Sequence, residues 1–252
     1  MTIYTVGILL CAGFFGGLAN SVAGGASLVT FPALLAIGLP PIVANASNTL
    51  ALLPGNLLGA FGDHLKLPPR DKWFFGGMLA AVSGGLVGAV LLLISSNAFF
   101  SIIVPALIGM ATLIFAFAKA IQRGLSRLLG GSDNPLLRNC LLFPTAIYGG
   151  YFGAGMGVMF MALFGATSHF DVRQANANKN VLGFLTNLAA VVIFVWQDVI
   201  SWPETFVMLP ATAVGGYSGA RLIRVLPAVV VRATIITVGA VMTAIYVYRY
   251  WL

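Results

Sequence analysis

Long apolar runs follow one another along almost the whole chain, and this feature limits the fold more than any other. Of 252 residues, 60% are hydrophobic and only 8% are charged. A soluble domain carries roughly 25% charged residues, so this composition excludes one. The sequence therefore predicts an all-α polytopic membrane protein whose surroundings are a lipid bilayer.

The formal net charge of +7 does not indicate nucleic-acid binding, because the basic residues lie in short gaps between the apolar runs. Basic residues in such gaps usually set the topology of a membrane protein. The first residues, MTIYTVGILL, contain no basic region, so we expect no cleaved signal peptide.

The second half of the chain repeats the first half with a shift of 131 residues. The shift aligns Ala-Asn-Ala at 44–46 with Ala-Asn-Ala at 175–177, and it aligns Asn56 with Asn187. Asparagines deep in apolar runs are rare, so these matches without a gap indicate an internal duplication.

Each repeat contains five apolar elements. The first repeat occupies 1–122, a linker follows at 123–139, and the second repeat occupies 140–252. Spanning about 30 Å of hydrocarbon takes about 20 helical residues, and the first two elements of each repeat are shorter. Each such pair is either two short spans or a re-entrant hairpin. The predicted elements are 3–18, 24–39, 42–61, 72–94 and 98–117, then 136–152, 155–168, 172–196, 203–223 and 228–248.

The positions of the basic residues predict the orientation in the membrane. Cytoplasmic loops carry an excess of Lys and Arg, and nearly all the basic gaps can lie on one side if the two repeats are inverted. We therefore predict that the N-terminus is outside and that the linker is cytoplasmic. The residues used are Lys66, Arg70 and Lys72, then Lys119, Arg123, Arg127 and Arg138 in the linker, and Arg173, Arg221 and Arg224 in the second repeat.

Glycine-rich breaks interrupt the short elements at 13–25 and 149–157. Inverted repeats with such breaks at matching positions are typical of transporters that bind substrate near the midplane. A helix that begins after a break directs its partial positive charge inward, which favours an anion. The candidate binding glycines are Gly24, Gly25, Gly155 and Gly157. Close helix packing is the alternative, and we favour it for the GxxxG pairs Gly84/Gly88 and Gly215/Gly219.

Polar residues inside the third element of each repeat indicate a binding site more specifically than the glycines do. Each is costly in lipid and normally faces the protein interior. At 100° per residue, those of each element lie on one side of its helix, so two polar stripes would face each other. The candidate substrate-binding residues are Asn45, Asn48, Thr49 and Asn56, then Asn176, Lys179, Asn180 and Asn187.

Lys179 is the only charge well inside its stripe. Its alternative role is a lysine that extends to the inner membrane interface. The surrounding asparagines, and its match with Asn48 in the first repeat, argue against that role. A cation with amide donors and no nearby carboxylate suits a small anionic substrate.

The apolar elements contain no nucleophile with a base, no metal-ligand cluster and no paired carboxylates. We therefore expect neither an enzyme nor a bound cofactor or metal. A passive anion channel or uniporter is the alternative to a carrier. A homo-oligomer is compatible with the sequence.

These motifs resemble the TauE/SafE sulfite exporter family over nearly the whole chain. The segments GGLANSVAGGASLVTFPALLAIGLPP and ANASNTLALLPG are similar to its first signature, and GGYFGAGMG and NANKNVLGFLTNLAAVVIF to its second. The resemblance implies a secondary carrier in a prokaryotic inner membrane. Its expected substrate is a small sulfur-containing anion, such as sulfite or an organosulfonate, and export is the expected direction. Thr49 stands where many members have lysine, so we expect one positive charge in the site rather than two.

Overall fold

The computed structural model describes residues 1–62, 67–68, 71–129, 133–222 and 228–252, and every regular element within these ranges is an α-helix. The protein is therefore all-helical there, as predicted. The eleven helices are α1 (Ile3–Ala23), α2 (Ser27–Ala36), α3 (Pro41–Gly62), α4 (Lys72–Ile94), α5 (Asn97–Ala116), α6 (Ala118–Leu128), α7 (Pro135–Tyr151), α8 (Met156–Thr167), α9 (Val172–Trp196), α10 (Trp202–Leu222) and α11 (Ala228–Trp251).

Ten of these helices correspond to the ten predicted elements, and α4 and α9 begin and end at the predicted residues. Helix α6 was not predicted, because its sequence is polar and basic. Its apolar residues Ile121 and Leu125 recur at helical spacing, which allows an amphipathic helix to form. Ser126 anchors it to α8 by donating a hydrogen bond to the Gly165 carbonyl at 3.0 Å.

The predicted linker, 123–139, is largely occupied by the end of α6 and the beginning of α7. Arg138 was counted with the linker, although the predicted element 136–152 also includes it; it lies in the first turns of α7 and is buried. Lys66, Arg70 and Arg224 lie outside the described residues, as does the side chain of Arg221. The sidedness of the protein stays a prediction.

Five helices in the described part contain segments long and apolar enough to cross a membrane: α1, α4, α5, α9 and α11. This confirms a polytopic membrane protein. Helices α2 and α8 are apolar but contain only 10 and 12 residues. At 1.5 Å per residue, they reach about 15 and 18 Å, which is roughly half of the hydrocarbon thickness.

The glycine breaks are narrower than predicted. Helix α1 continues through Gly13 and Gly17 to Ala23, so it is long enough to span, contrary to expectation. A Cβ built on Gly17 would lie 2.2 Å from the Thr212 carbonyl oxygen in α10, so this glycine serves close packing. Gly150 similarly remains in α7, where a Cβ would lie 2.3 Å from the Gly85 carbonyl oxygen.

Helices of one half pack on helices of the other half in pairs that the 131-residue shift exchanges or matches. Helix α1 packs on α10, and α4 packs on α7, while α3 contacts α9 and α5 contacts α11. Under the 131-residue shift, α1 corresponds to α7 and α4 to α10, so the first two contacts are equivalent. This exchange is expected of a duplicated chain with two-fold related halves. The inversion of one half relative to the other stays a prediction.

The hydrophobic core lies where α2, α5 and the end of α7 meet. The rings of Phe31 and Phe152 pack edge to face with centroids 5.3 Å apart, and Phe100 packs on Phe152. All three side chains are fully buried. This core holds the beginnings of the two short helices close to each other.

Candidate functional site

A glycine in the left-handed conformation precedes each of the two short helices, three residues before α2 and directly before α8. Gly24 has φ 75° and precedes α2, and Gly155 has φ 81° and precedes α8. A side chain at such φ costs roughly 1–2 kcal/mol, so glycine is the favoured residue at both positions. Most of the first N–H groups of the two short helices already donate to carbonyls of the breaks, those of Leu28 and Val29 in α2 and those of Met156 and Val158 in α8. The N–H groups of the cavity-lining residues Ser27 and Gly157 lie outside this set.

The two breaks meet each other. A Cβ built on Gly24 would lie 3.6 Å from the Cα of Gly157, and one built on Gly157 would lie 3.5 Å from Cδ of Lys179. The Lys179 side chain therefore runs beside the first turn of α8, where the two halves join. It is half-buried at this point.

A small cavity of about 40 Å³, here named the central cavity, lies at this junction. Its volume admits a few water molecules or a small ion. Three pairs of its lining residues are related by the 131-residue shift: Ala26 and Gly157, Leu52 and Gly183, and Asn56 and Asn187. The other lining residues are Asn20, Gly24, Ser27, Gly153, Met156 and Lys179. The cavity is therefore built from equivalent positions of both halves.

Asparagines supply the polar groups of the cavity. Asn20 Nδ2 donates a hydrogen bond to Asn56 Oδ1 at 3.2 Å, which leaves the Asn56 amino group available as a donor. Asn187 is only 7% exposed, and its Oδ1 has no hydrogen-bond partner among the described residues. Buried polar groups are normally paired, so an unpaired amide at a cavity marks a place for a ligand or a water.

The charge of the cavity favours an anion. Lys179 is its only charged residue among the described ones, and its lining includes no Asp or Glu. The first residues of α2 and α8, Ser27 and Met156, also line it. Helix N-termini carry partial positive charge and attract anions. A lysine, two helix beginnings and amide donors together can hold a small oxyanion.

Asn48 does not line the cavity but contacts Ser27, which does. It is 1% exposed, donates from Nδ2 to Ser27 Oγ at 3.1 Å, and accepts a hydrogen bond from Thr30 Oγ1. These contacts fix the beginning of α2 against α3. Asn48 thus positions the lining residue Ser27 and does not itself line the cavity.

The other candidates lie away from the cavity lining. Asn45 donates to the Tyr151 carbonyl at 2.9 Å, and Thr49 donates to the Asn45 carbonyl of its own helix. Gly25 packs against Phe115 and Ile235, and Gly155 packs against Ala111. Asn176 and Asn180 are half-buried on α9. Of the twelve predicted residues, the structure brings five to the cavity, namely Lys179, Asn56, Asn187, Gly24 and Gly157.

Sequence reasoning missed Asn20, Ser27 and Met156 as lining residues. The polar stripes of the third elements predicted a site on α3 and α9, whereas these residues lie on α1, α2 and α8. Asn20 carried the same signal as the others, an amide within an apolar run.

Comparison with known proteins agrees with this architecture. The family model described as sulfite exporter TauE/SafE matches residues 9–246, which is nearly the whole chain. The chain belongs to the TauE/SafE family. No solved structure matches it significantly.

Relatives of this TauE/SafE protein match it along most of their length. A "probable membrane transporter protein" of Haemophilus influenzae is 29% identical over 96% of this chain and 94% of its own. "Probable membrane transporter protein ORF9" of a Sinorhizobium species is 28% identical over 88% and 84%. "Probable membrane transporter protein YfcA" of Escherichia coli K12 is 26% identical over 96% and 90%. The family, the relatives and the apolar helices together indicate a multi-pass membrane transporter.

Proposed function

We propose that this protein is a secondary carrier for a small oxyanion, with sulfite or a small organosulfonate as the substrate class. The observation that carries the proposal is the position of Lys179. It shares a cavity with the repeat-related pair Asn56 and Asn187, where the beginnings of two short helices meet.

Each part of the cavity has a role in this proposal. The Lys179 ammonium neutralises the charge of the bound oxyanion. The amino group of Asn56 donates to a substrate oxygen, and Asn187, whose amide is unpaired at its oxygen, donates after a simple rotation of that amide. The N–H groups of Ser27 in α2 and Gly157 in α8, which are not engaged in the tight turns at these helix beginnings, supply further donors.

The size and composition of the cavity support a small substrate. A volume of about 40 Å³ matches a small ion better than a large organic acid. Glycines at 24, 153, 157 and 183 bring backbone to the cavity surface, where side chains would occupy the space. A larger organosulfonate requires that the cavity widen in another conformation.

Alternating access is the mechanism we propose, with the halves moving against each other around the central cavity. Reciprocal packing of α1 on α10 and of α4 on α7 joins elements of opposite halves. We place the protein in a prokaryotic inner membrane with its N-terminus outside, with export as the direction. With the free cysteines Cys11 and Cys140 replaced by serine, labelling of a cysteine introduced at 2 or at 123 with an impermeant maleimide tests this orientation.

Transport in proteoliposomes tests the function. Purified protein should drive saturable uptake of labelled sulfite, and external unlabelled sulfite should stimulate efflux from preloaded vesicles. Lys179→Ala should abolish this flux, whereas Lys179→Arg should retain part of it because the charge is kept. Lys119→Ala, which removes an exposed cation from α6, is the matched control and should transport normally.

Two results would contradict the proposal in different ways. Unchanged flux in Lys179→Ala would show that the central cavity is not the substrate site. Flux that rises linearly with concentration and shows no trans-stimulation would instead indicate a passive anion channel.

A further inference from the structure

A second and larger cavity lies at the beginnings of α4, α7 and α9. Its volume is about 170 Å³, which admits a small organic solute. The polar residues that line it are Asp71, Asp133, Arg138, Asn139 and Asn178. None of them lines the central cavity, and nothing in the transport proposal uses them.

Arg138 is the unusual residue of this cavity, because it is an arginine only 7% exposed in an apolar helix. Its guanidinium lies 3.7 Å from Asp133 Oδ1 and 5.1 Å from the centre of the Phe170 ring. Asp133 is itself half exposed to the surroundings. A guanidinium has five N–H donors in a fork, which is more than this one long contact with a carboxylate oxygen uses.

Two buried amide oxygens in the same cavity are acceptors that need a hydrogen-bond donor. Asn139 donates from Nδ2 to the Trp73 carbonyl at 2.9 Å, so its orientation is fixed, and within the described part of the chain its buried Oδ1 has no donor. Asn178 is 5% exposed, and its Oδ1 also has no donor among the described residues. Unpaired buried acceptors are costly, so both call for a ligand that donates hydrogen bonds.

The mixed charges around the cavity disfavour an ion of a single sign. A pure anion would pair with Arg138 but would meet the carboxylates of Asp71 and Asp133. A pure cation would pair with those carboxylates but would meet the buried guanidinium. A zwitterion satisfies both, with an acidic end on Arg138 and an ammonium end on the amide oxygens and carboxylates.

We propose that this cavity binds a small ammonium-bearing oxyanion, with Arg138 holding the acidic group and Asn139 and Asn178 accepting from the ammonium. Asn178 and Lys179 are neighbours on α9 but line different cavities, so the helix separates the two sites. The site is independent of the proposed transport function.

Two sources present this chemistry: a free zwitterionic solute and the headgroup of phosphatidylethanolamine. Both place an ammonium about two carbons from an acidic group. The soluble probe O-phosphoethanolamine carries the same ammonium and a phosphate, as a monoester and without acyl chains, so it separates the two sources.

Isothermal titration of the full-length protein in detergent tests the free solute, in a Lys179→Ala background that removes the central cation. O-phosphoethanolamine should bind, and inorganic phosphate and ethanolamine should each bind at least tenfold more weakly. Arg138→Gln should abolish binding. Arg123→Gln, an exposed arginine of α6, is the matched control and should leave binding unchanged.

Arg138→Gln could lose binding simply because the protein misfolds, so a second variant, Asn178→Leu, is needed. It removes an amide whose oxygen is unpaired and keeps the arginine. It should weaken binding at least fivefold without lowering the thermal midpoint. For the lipid source, native mass spectrometry from mixed vesicles should show phosphatidylethanolamine retained over phosphatidylglycerol, and Arg138→Gln should remove this preference.

Each outcome is decisive. Binding of the soluble probe that depends on Arg138 supports a free solute, and Arg138-dependent retention of phosphatidylethanolamine alone supports the headgroup. Phosphate that binds as tightly as phosphoethanolamine, binding that survives Arg138→Gln, or no binding of either ligand would overturn the proposal.

Discussion

Asn20 near the end of α1 donates a hydrogen bond from Nδ2 to Oδ1 of Asn56 on α3, at 3.2 Å. Both residues line the central cavity. The bond occupies the acceptor of Asn56 and thereby leaves its amino group as the free donor. In this way α1 determines which end of the Asn56 amide a substrate meets.

Replacing Asn20 should therefore weaken substrate binding through Asn56. Loss of one hydrogen bond of roughly 1 kcal/mol predicts an increase of about fivefold in KM for Asn20→Ala. Asn20→Asp should have a larger effect, because a carboxylate cannot donate to Asn56 and repels an anion. The measurement is concentration-dependent flux in proteoliposomes. A purely structural role for Asn20 would instead lower the maximal rate and the yield of folded protein, with KM unchanged.

The sequence predicted the helices well because their signal is local. Apolar runs bounded by Asp71, Asp171 or Pro40-Pro41 give both the type and the bounds of the elements, and Asp71 and Asp171 indeed cap α4 and α9. Helix α6 was missed because its single apolar side resembles a polar linker. Its packing on α8 is a tertiary contact that no local pattern shows.

The candidate site was predicted only in part, because helical periodicity gives the direction of a side chain but not its depth. Asn45, Asn48 and Asn56 share one side of α3, yet only Asn56 lies at the level of the cavity. The level is set by where α2 and α8 begin, and therefore by Gly24 and Gly155. Arg138 was counted with the linker because its burial depends on Phe170 and Asp133, which lie on other segments.

Alanine substitutions at the glycines of the two breaks should have different effects on stability and on transport. Gly24 has φ 75°, so Gly24→Ala should destabilise the protein by roughly 1–2 kcal/mol. A Cβ on Gly157 would make only ordinary contacts, the nearest at 3.5 Å to Lys179 Cδ, so Gly157→Ala should leave stability almost unchanged. It should nevertheless reduce transport, because the methyl group enters the cavity.

Thermal unfolding in detergent and sulfite flux separate these two effects. Equal stability of the two variants would contradict the backbone argument. Full transport by Gly157→Ala would show that the cavity at the junction has no role in substrate passage.

Close packing between α4 and α7 predicts that a methyl group added at Gly88 destabilises the protein. A Cβ on Gly88 would lie 2.1 Å from the Ile147 carbonyl oxygen, so Gly88→Ala must separate α4 from α7. Overpacking of this kind typically costs about 1–3 kcal/mol. Gly7→Ala in α1 is the control, because a Cβ there meets nothing within 4 Å. Unfolding temperatures should fall for Gly88→Ala and stay level or rise for Gly7→Ala; similar values would refute the packing role.

Asn48 and Thr49 are adjacent on α3, but their replacement should have very different effects on stability. Asn48 links α3 to Ser27 and Thr30 of α2, so Asn48→Ala leaves two buried hydroxyls with fewer partners and should cost roughly 1–3 kcal/mol. Thr49 donates only to the carbonyl of Asn45 in its own helix, so Thr49→Val should be nearly neutral.

Because Asn48 fixes the first turn of α2, its loss should also impair transport, whereas Thr49→Val should transport normally. Thermal unfolding and sulfite flux of both variants check this pair. A strong transport defect in Thr49→Val with normal stability would mean that Thr49 meets the substrate in another conformation of the carrier. It would move the binding surface along α3 toward Asn45, away from the cavity formed with Lys179.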